Sequence, residues 1–399
     1  MDKTCRNDRV GLSTSVGGGA MADILLRGIT WDHRRAIDPL IHTLPGFRVS
    51  HPGIDVQWTS RPLHGFEFTP VADLARSHDL IILDHPFAGA IAATGCLMPL
   101  ADPVADGEGG FVGPSLQSYV HSGHLWALPV DAACQVAVSR PDLMAWLGEA
   151  TPADWGGLLR LGVRARRQGL SLAIPLRGVH SLMSFFTLCA NLGRPFGAEG
   201  PDAEPLDRAT FAQVLDLLRD LLALSPPECL DWNSIALHDQ MAGRDDLLFC
   251  PAVYGFVTYA EADRAKPLRF HDLPGPNGPQ GSTIGGTGLG ISAHCAHPGA
   301  ALAYARYLAR PDTQRAFAAH HGQPAHVSAW EDRDIDLRFG GSFGATRRTI
   351  EAAWVRPRHN GYLRFQAEAG TLIEACLRGD MAEAALYDAL CRDFRASFA

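Results

Sequence analysis

At 399 residues, 46% hydrophobic and 20% charged, the chain has the composition of a globular protein long enough for two domains. Its formal net charge of −8 argues against nucleic acid as a partner, because phosphate binding needs a basic surface. No uninterrupted apolar run reaches the roughly 18 residues that a membrane-spanning helix requires.

Residues 1–21 are polar and rich in Gly and Ser, without the apolar core of a secretory signal, and read as a disordered extension or tag. The first expected strand begins at Ile24-Leu25-Leu26 and ends in Trp31-Asp32-His33, followed by an amphipathic helix over 34–43. Residues 54–61 alternate as a strand and 70–77 fit a helix. The run 78–86 is nearly continuously apolar, as in a strand buried on both faces. After a loop rich in Gly and Asp at 102–114, a strand-like stretch covers 124–139. This strand–helix rhythm predicts an open, mostly parallel sheet.

The texture changes near residue 141. Thr151-Pro152-Ala153-Asp154-Trp155 opens a helix with the Thr151 hydroxyl available as N-cap. Apolar helices follow over 180–193 and 209–225, then a strand over 245–257, a Gly-rich segment from 282 and a largely helical tail from 345. Nine cysteines stand without CxxC or paired spacing, which reads as buried free thiols of a reducing compartment.

Taken in order, these segments resemble the family 1 extracellular solute-binding proteins of ABC importers (periplasmic-binding-protein-like, type II). Residues 78–100, HDLIILDHPFAGAIAATGCLMPL, are similar to the family's buried strand and helix leading to a Gly-x-Leu-x-Pro-Leu run. Residues 123–144 resemble its crossover strand, with Val138-Ser139-Arg140 where Tyr-Asn is usual. Asp154-Trp155 stands in the place of a family helix start, and the stretch from Ser282 is similar to the return crossover and the helix after it. The resemblance implies an α/β fold of two lobes, with a ligand cleft between them at a multi-strand hinge. The expected limits are 22–130 plus 277–325 for lobe one and 131–276 plus 326–399 for lobe two.

In open α/β sheets ligands sit beyond the carboxyl ends of strands. That rule places Trp31, Asp32 and His33 at the ligand cleft, as a stacking face, an acceptor and a partner for it; the alternative is a core Trp beside a helix-capping Asp. Asp84, His85 and Phe87 occupy the equivalent position after the next buried strand. Two Asp and two His also satisfy the chemistry of a metal site, but solute recognition uses the same groups, so no metal is assigned. Asp131, in an apolar run, is either a ligand contact or an ion-pair partner, since an unpaired buried carboxylate is costly.

The run GSTIGGTGLGIS lacks dinucleotide-binding spacing. It reads instead as a loop where backbone approaches ligand, with Gly285, Gly286 and Thr287 offering amide and hydroxyl groups. The second lobe is expected to close with Arg177, His180, Tyr254, Arg356, His359 and Tyr362. No H-E-x-x-H or P-loop motif occurs, and neither catalysis nor a cofactor is expected.

The resulting expectation is a monomeric, periplasmic solute-binding protein. It would capture a small polar solute, most readily a carbohydrate or polyol, and deliver it to an inner-membrane ABC permease. Two alternatives remain beside it. One is an organic or aromatic acid as the ligand; the other is a cytoplasmic ligand sensor or enzyme on the same fold, which the polar N-terminus and the cysteines favour.

Overall fold

The computed structural model describes residues 23–100 and 110–399. The extension expected over 1–21 and most of the loop at 102–114 lie outside the described residues. Ten strands are present among the described residues. The first five are β1 (Ile24–Trp31), β2 (Ile54–Arg61), β3 (Leu80–Leu83), β4 (Val120–His121) and β5 (His124–Leu125). The rest are β6 (Leu128–Ser139), β7 (Ser171–Leu172), β8 (Leu247–Tyr254), β9 (Arg269–His271) and β10 (Ile284–Ile291).

One sheet runs through the molecule in the order β2-β1-β3-β10-β6-β8-β7, with β9 also paired to β6. It is mixed rather than mostly parallel. The β1–β2, β1–β3 and β7–β8 pairs are parallel, whereas β10 and β6 run antiparallel to their neighbours. The periodicity of buried runs carries no direction, and both β6 and β10 reverse it where the chain passes between lobes. The first half of β6 pairs with β10 and the second half with β8 and β9, and every residue of β6 is buried. A third passage forms where Trp354 N donates to Ser282 O at 2.7 Å.

Two apolar clusters form the core, and the larger spans this junction, reaching Val253, Phe256 and Phe270. One gathers Leu26, Leu40, Phe47, Ile81, Ile91 and Tyr304; the other gathers Phe185, Phe186, Phe196, Leu215, Tyr362 and Phe394. The first helix, Arg34–Ser50, is longer than its apolar stripe predicts and contains Pro39 and Pro45. Leu40, Thr43, Leu44 and Phe47 continue its buried face across both prolines, and burial offsets the backbone bonds they remove. At the helix Trp155–Arg166 the cap is the Asp154 carboxylate, which accepts from Gly157 N, and not Thr151.

All eight cysteines among the described residues are free, and seven of them are buried. No described helix is long and apolar enough to cross a membrane.

Candidate functional site

The parallel strands β1, β2 and β3 end on the same edge, and their last residues and the segments after them form one wall of a cavity. Trp31 closes β1; the short helix Leu63–Phe68 after β2 brings Phe66 and Glu67; the turn after β3 brings Asp84 and Phe87. The opposite wall comes from the end of β8 and from two helices. Tyr254 closes β8 and Phe256 lies just beyond it, His180 and Met183 lie on the helix Val179–Asn191, and Gln366 lies on the helix Tyr362–Arg378. The enclosed volume is about 100 Å³, room for several water molecules.

Two ion pairs brace the walls. Arg35 Nε and Nη2 donate to the two oxygens of Asp131 at 2.8 and 2.5 Å, and its Nη1 donates to Gly255 O at 2.7 Å. Arg356 Nη2 donates to Asp84 Oδ2 at 2.8 Å and its Nη1 to Gln366 Oε1 at 2.8 Å. Burial alone would raise the pKa of Asp84, but the charges of Arg356 and His85 outweigh it and hold the carboxyl well below its usual range.

Glu67 behaves oppositely. Burial, reinforced by the charge of Asp84, pushes its pKa up to about 7 against the pull of Arg356 and Arg177. His180 Nε2 is 3.8 Å from Glu67 Oε1, and its Nδ1 lies 3.2 Å from Ser234 Oγ. Burial and the neighbouring arginines lower the His180 pKa to about 4, so the ring facing Glu67 is neutral at pH 7.

The sequence-predicted residues divide into two groups. Trp31, Asp84, Phe87, Asp131 and His180 line the cavity, as do Tyr254, Gly285, Gly286, Thr287 and Arg356. The other six lie off its wall. Asp32 is exposed, and His33, not Asp32, caps the first helix, its Nδ1 accepting from Arg35 N at 3.1 Å. The His33 ring stacks on Trp31 with centroids 5.1 Å apart. His85 is fully buried behind Asp84, with Nδ1 2.9 Å from Asp84 Oδ1. Arg177 is exposed, His359 packs on Phe398, and Tyr362 belongs to the second core.

The glycines at 285 and 286 are not in a loop. They belong to β10, and a Cβ on Gly286, at φ +101°, would stand 2.3 Å from Asp131 O. A Cβ on Gly285 would meet the Tyr254 ring at 2.7 Å. Their smallness is used for protein packing at the cavity edge.

Arg35, Phe66, Glu67, Phe256 and Gln366 are cavity residues that the sequence reading missed. Phe66-Glu67-Phe68 between a strand end and Pro70 is the one local signal that could have flagged the short helix. Among the described residues no cluster of three or more side chains could hold a metal ion.

The family model described as "Bacterial extracellular solute-binding protein" matches residues 71–325, well over half of the chain. The chain belongs to this bacterial extracellular solute-binding protein family. Its fold agrees at full length with solved members of the two-lobed architecture. Maltose-bound MalE3 of T. maritima superposes with a TM-score of 0.80 at 18% identity, covering 94% of this chain and 99% of that one. A ribitol-bound ABC transporter solute-binding protein of Agrobacterium radiobacter gives the same four values. A D-mannitol-bound one of Agrobacterium vitis gives 0.76 at 16% identity, covering 94% and 98%.

A probable amino-acid ABC transporter periplasmic-binding protein of Sinorhizobium fredii is 23% identical over 192 residues, 47% of this chain. The match spans 43% of that relative's own length. At these identities the solved structures establish the two-lobed fold of this family member.

Proposed function

We propose that this protein is the solute receptor of an ABC importer, working in the periplasm, where it closes two lobes on one small polyhydroxylated solute and passes it to a membrane permease. The observation that carries the reading is the cavity itself. It lies between the ends of β1, β2 and β3 and the segment after β8, is walled by aromatic rings, and contains a few polar groups held by ion pairs, the combination that orients a small polar molecule. The sugar- and polyol-bound neighbours of the same fold support a carbohydrate or polyol as that solute. An organic acid is less favoured, because the Arg35 and Arg356 guanidiniums are already engaged by Asp131 and Asp84.

Binding to the folded state alone raises the melting temperature in proportion to the logarithm of ligand concentration over Kd. A thermal-shift screen of sugars, polyols and organic acids against the intact chain therefore tests the proposal. A concentration-dependent rise with one compound, without turnover of it, is the expected result. A well-folded sample that responds to none of them, or that converts the compound, overturns it.

A further inference from the structure

The cavity contains three carboxylates and only two guanidiniums. Asp131 is taken by Arg35 and Asp84 by Arg356, each through hydrogen bonds of 2.5–2.8 Å. Glu67 is the remainder. Among the described residues it has no ion pair shorter than the 3.8 Å approach of His180, a ring that is neutral at pH 7. The same cavity is lined by Trp31, Phe66 and Tyr254. A neutral solute would leave that carboxylate without a direct ion-pair partner, whereas a cation would gain a charge-assisted hydrogen bond in a cavity lined by aromatic rings.

We infer that the solute carries a protonated amine, received by Glu67 among Trp31, Phe66 and Tyr254, so that the class taken is an amino sugar or amino polyol. This rests on the solute-receptor proposal and names its ligand class. The groups facing Glu67 are Asp84, which opposes its ionisation, Arg356 and Arg177, which favour it, and the uncharged His180. Because Glu67 takes up its proton near pH 7 in the empty cavity, amine binding strengthens as pH rises through 7, until the amine loses its own proton, and weakens below it. A neutral polyol should show no such loss.

The test is calorimetric titration of the intact chain at pH 7.5 with matched pairs: sorbitol and glucamine, glucose and glucosamine, ribitol and 1-amino-1-deoxyribitol. In at least one pair the amine should bind about tenfold tighter or more, the value of a charged hydrogen bond in a dry site. Glu67→Gln should remove that preference, read as the ratio of amine to neutral affinity within each pair. Glu67→Asp, which keeps the charge, should retain part of it and guards against a general disturbance of the short helix. Neutral members that bind as tightly as their amines in every pair, or a preference that survives E67Q, overturn this inference and leave the receptor proposal standing. Failure of every compound to bind overturns the inference, and the wider thermal-shift screen decides the receptor proposal.

Discussion

Arg356 joins the two sides of the cavity through a single guanidinium: Nη2 reaches Asp84 after β3, and Nη1 reaches Gln366 on the helix Tyr362–Arg378. Removing one partner of a buried pair costs more than removing both, because a lone charge is left in a dry site. Arg356→Met should therefore destabilise the fold by about 3 kcal/mol or more, and adding Asp84→Asn should recover much of the loss. Urea denaturation of both single variants and the double variant measures the coupling. Equal losses from the double and the Arg356 variant would refute a coupled pair.

The same pair sets an acid limit. The pKa of Asp84 is held below its ordinary 3.8 in the folded protein, so its stabilisation is complete above that value and fades as pH falls further. The R356M variant should lose this part of the acid dependence. Melting temperatures recorded below pH 4 in both proteins compare the two slopes.

Histidines add a second, milder acid response. Burial lowers His33, His180 and His238 to about 4 from the usual 6.5. Between these values the unfolded chain binds protons that the folded chain refuses, so stability falls as pH drops from 6.5 toward 4 and levels off below. Each histidine contributes a slope of up to about 1.4 kcal/mol per pH unit. His238 sits among Phe256, Tyr259 and Phe270. His238→Phe should flatten the slope by about one proton, whatever it does to absolute stability; an unchanged slope would remove His238 from this account.

Trp31 and Asp32 are neighbours with opposite expected effects. Trp31 packs against Phe66 and Phe256 with centroids 5.9 and 6.1 Å away and lines the cavity. Trp31→Ala should cost about 3–5 kcal/mol of stability and abolish solute binding. Trp31→Phe should fold and bind more weakly. Asp32→Ala, on an exposed side chain, should stay within about 0.5 kcal/mol of the parent and bind normally. Parallel thermal melts and titrations with the solute identified by screening distinguish the three.

Gly286 is the least replaceable residue of β10. Its φ of +101° is closed to side chains, and a Cβ would press on the Asp131 carbonyl. Gly286→Ala should cost about 2–4 kcal/mol by combining backbone strain with overpacking. It should also loosen the solute site, because Asp131 and Thr287 pair at this point of the sheet. Equilibrium unfolding with a wild-type midpoint would contradict this.

How far the sequence carried depended on how local each feature is. The buried strand Leu80–Leu83 and the strand Ile54–Arg61 were legible because alternation and apolar runs are properties of neighbours in the chain. Trp31 and Asp84 were legible as cavity residues because strand ends face ligands in open sheets. Arg35 was not, since its role depends on Asp131, 96 positions away, and in the sequence it is only the second arginine of a helix start. Glu67 was missed because the six-residue helix that bears it is too short for a periodic signal. Antiparallel β6 and β10 were unreadable for the same reason as any strand direction, which local pattern does not encode.

The twelve-residue strand β6 leaves the two lobes without a seam. Its first half is a rib of one sheet region and its second half a rib of the other, so no cut between residues 128 and 139 yields a fragment with both edges satisfied. The lobes are therefore companions in folding and not modules that could be exchanged between proteins.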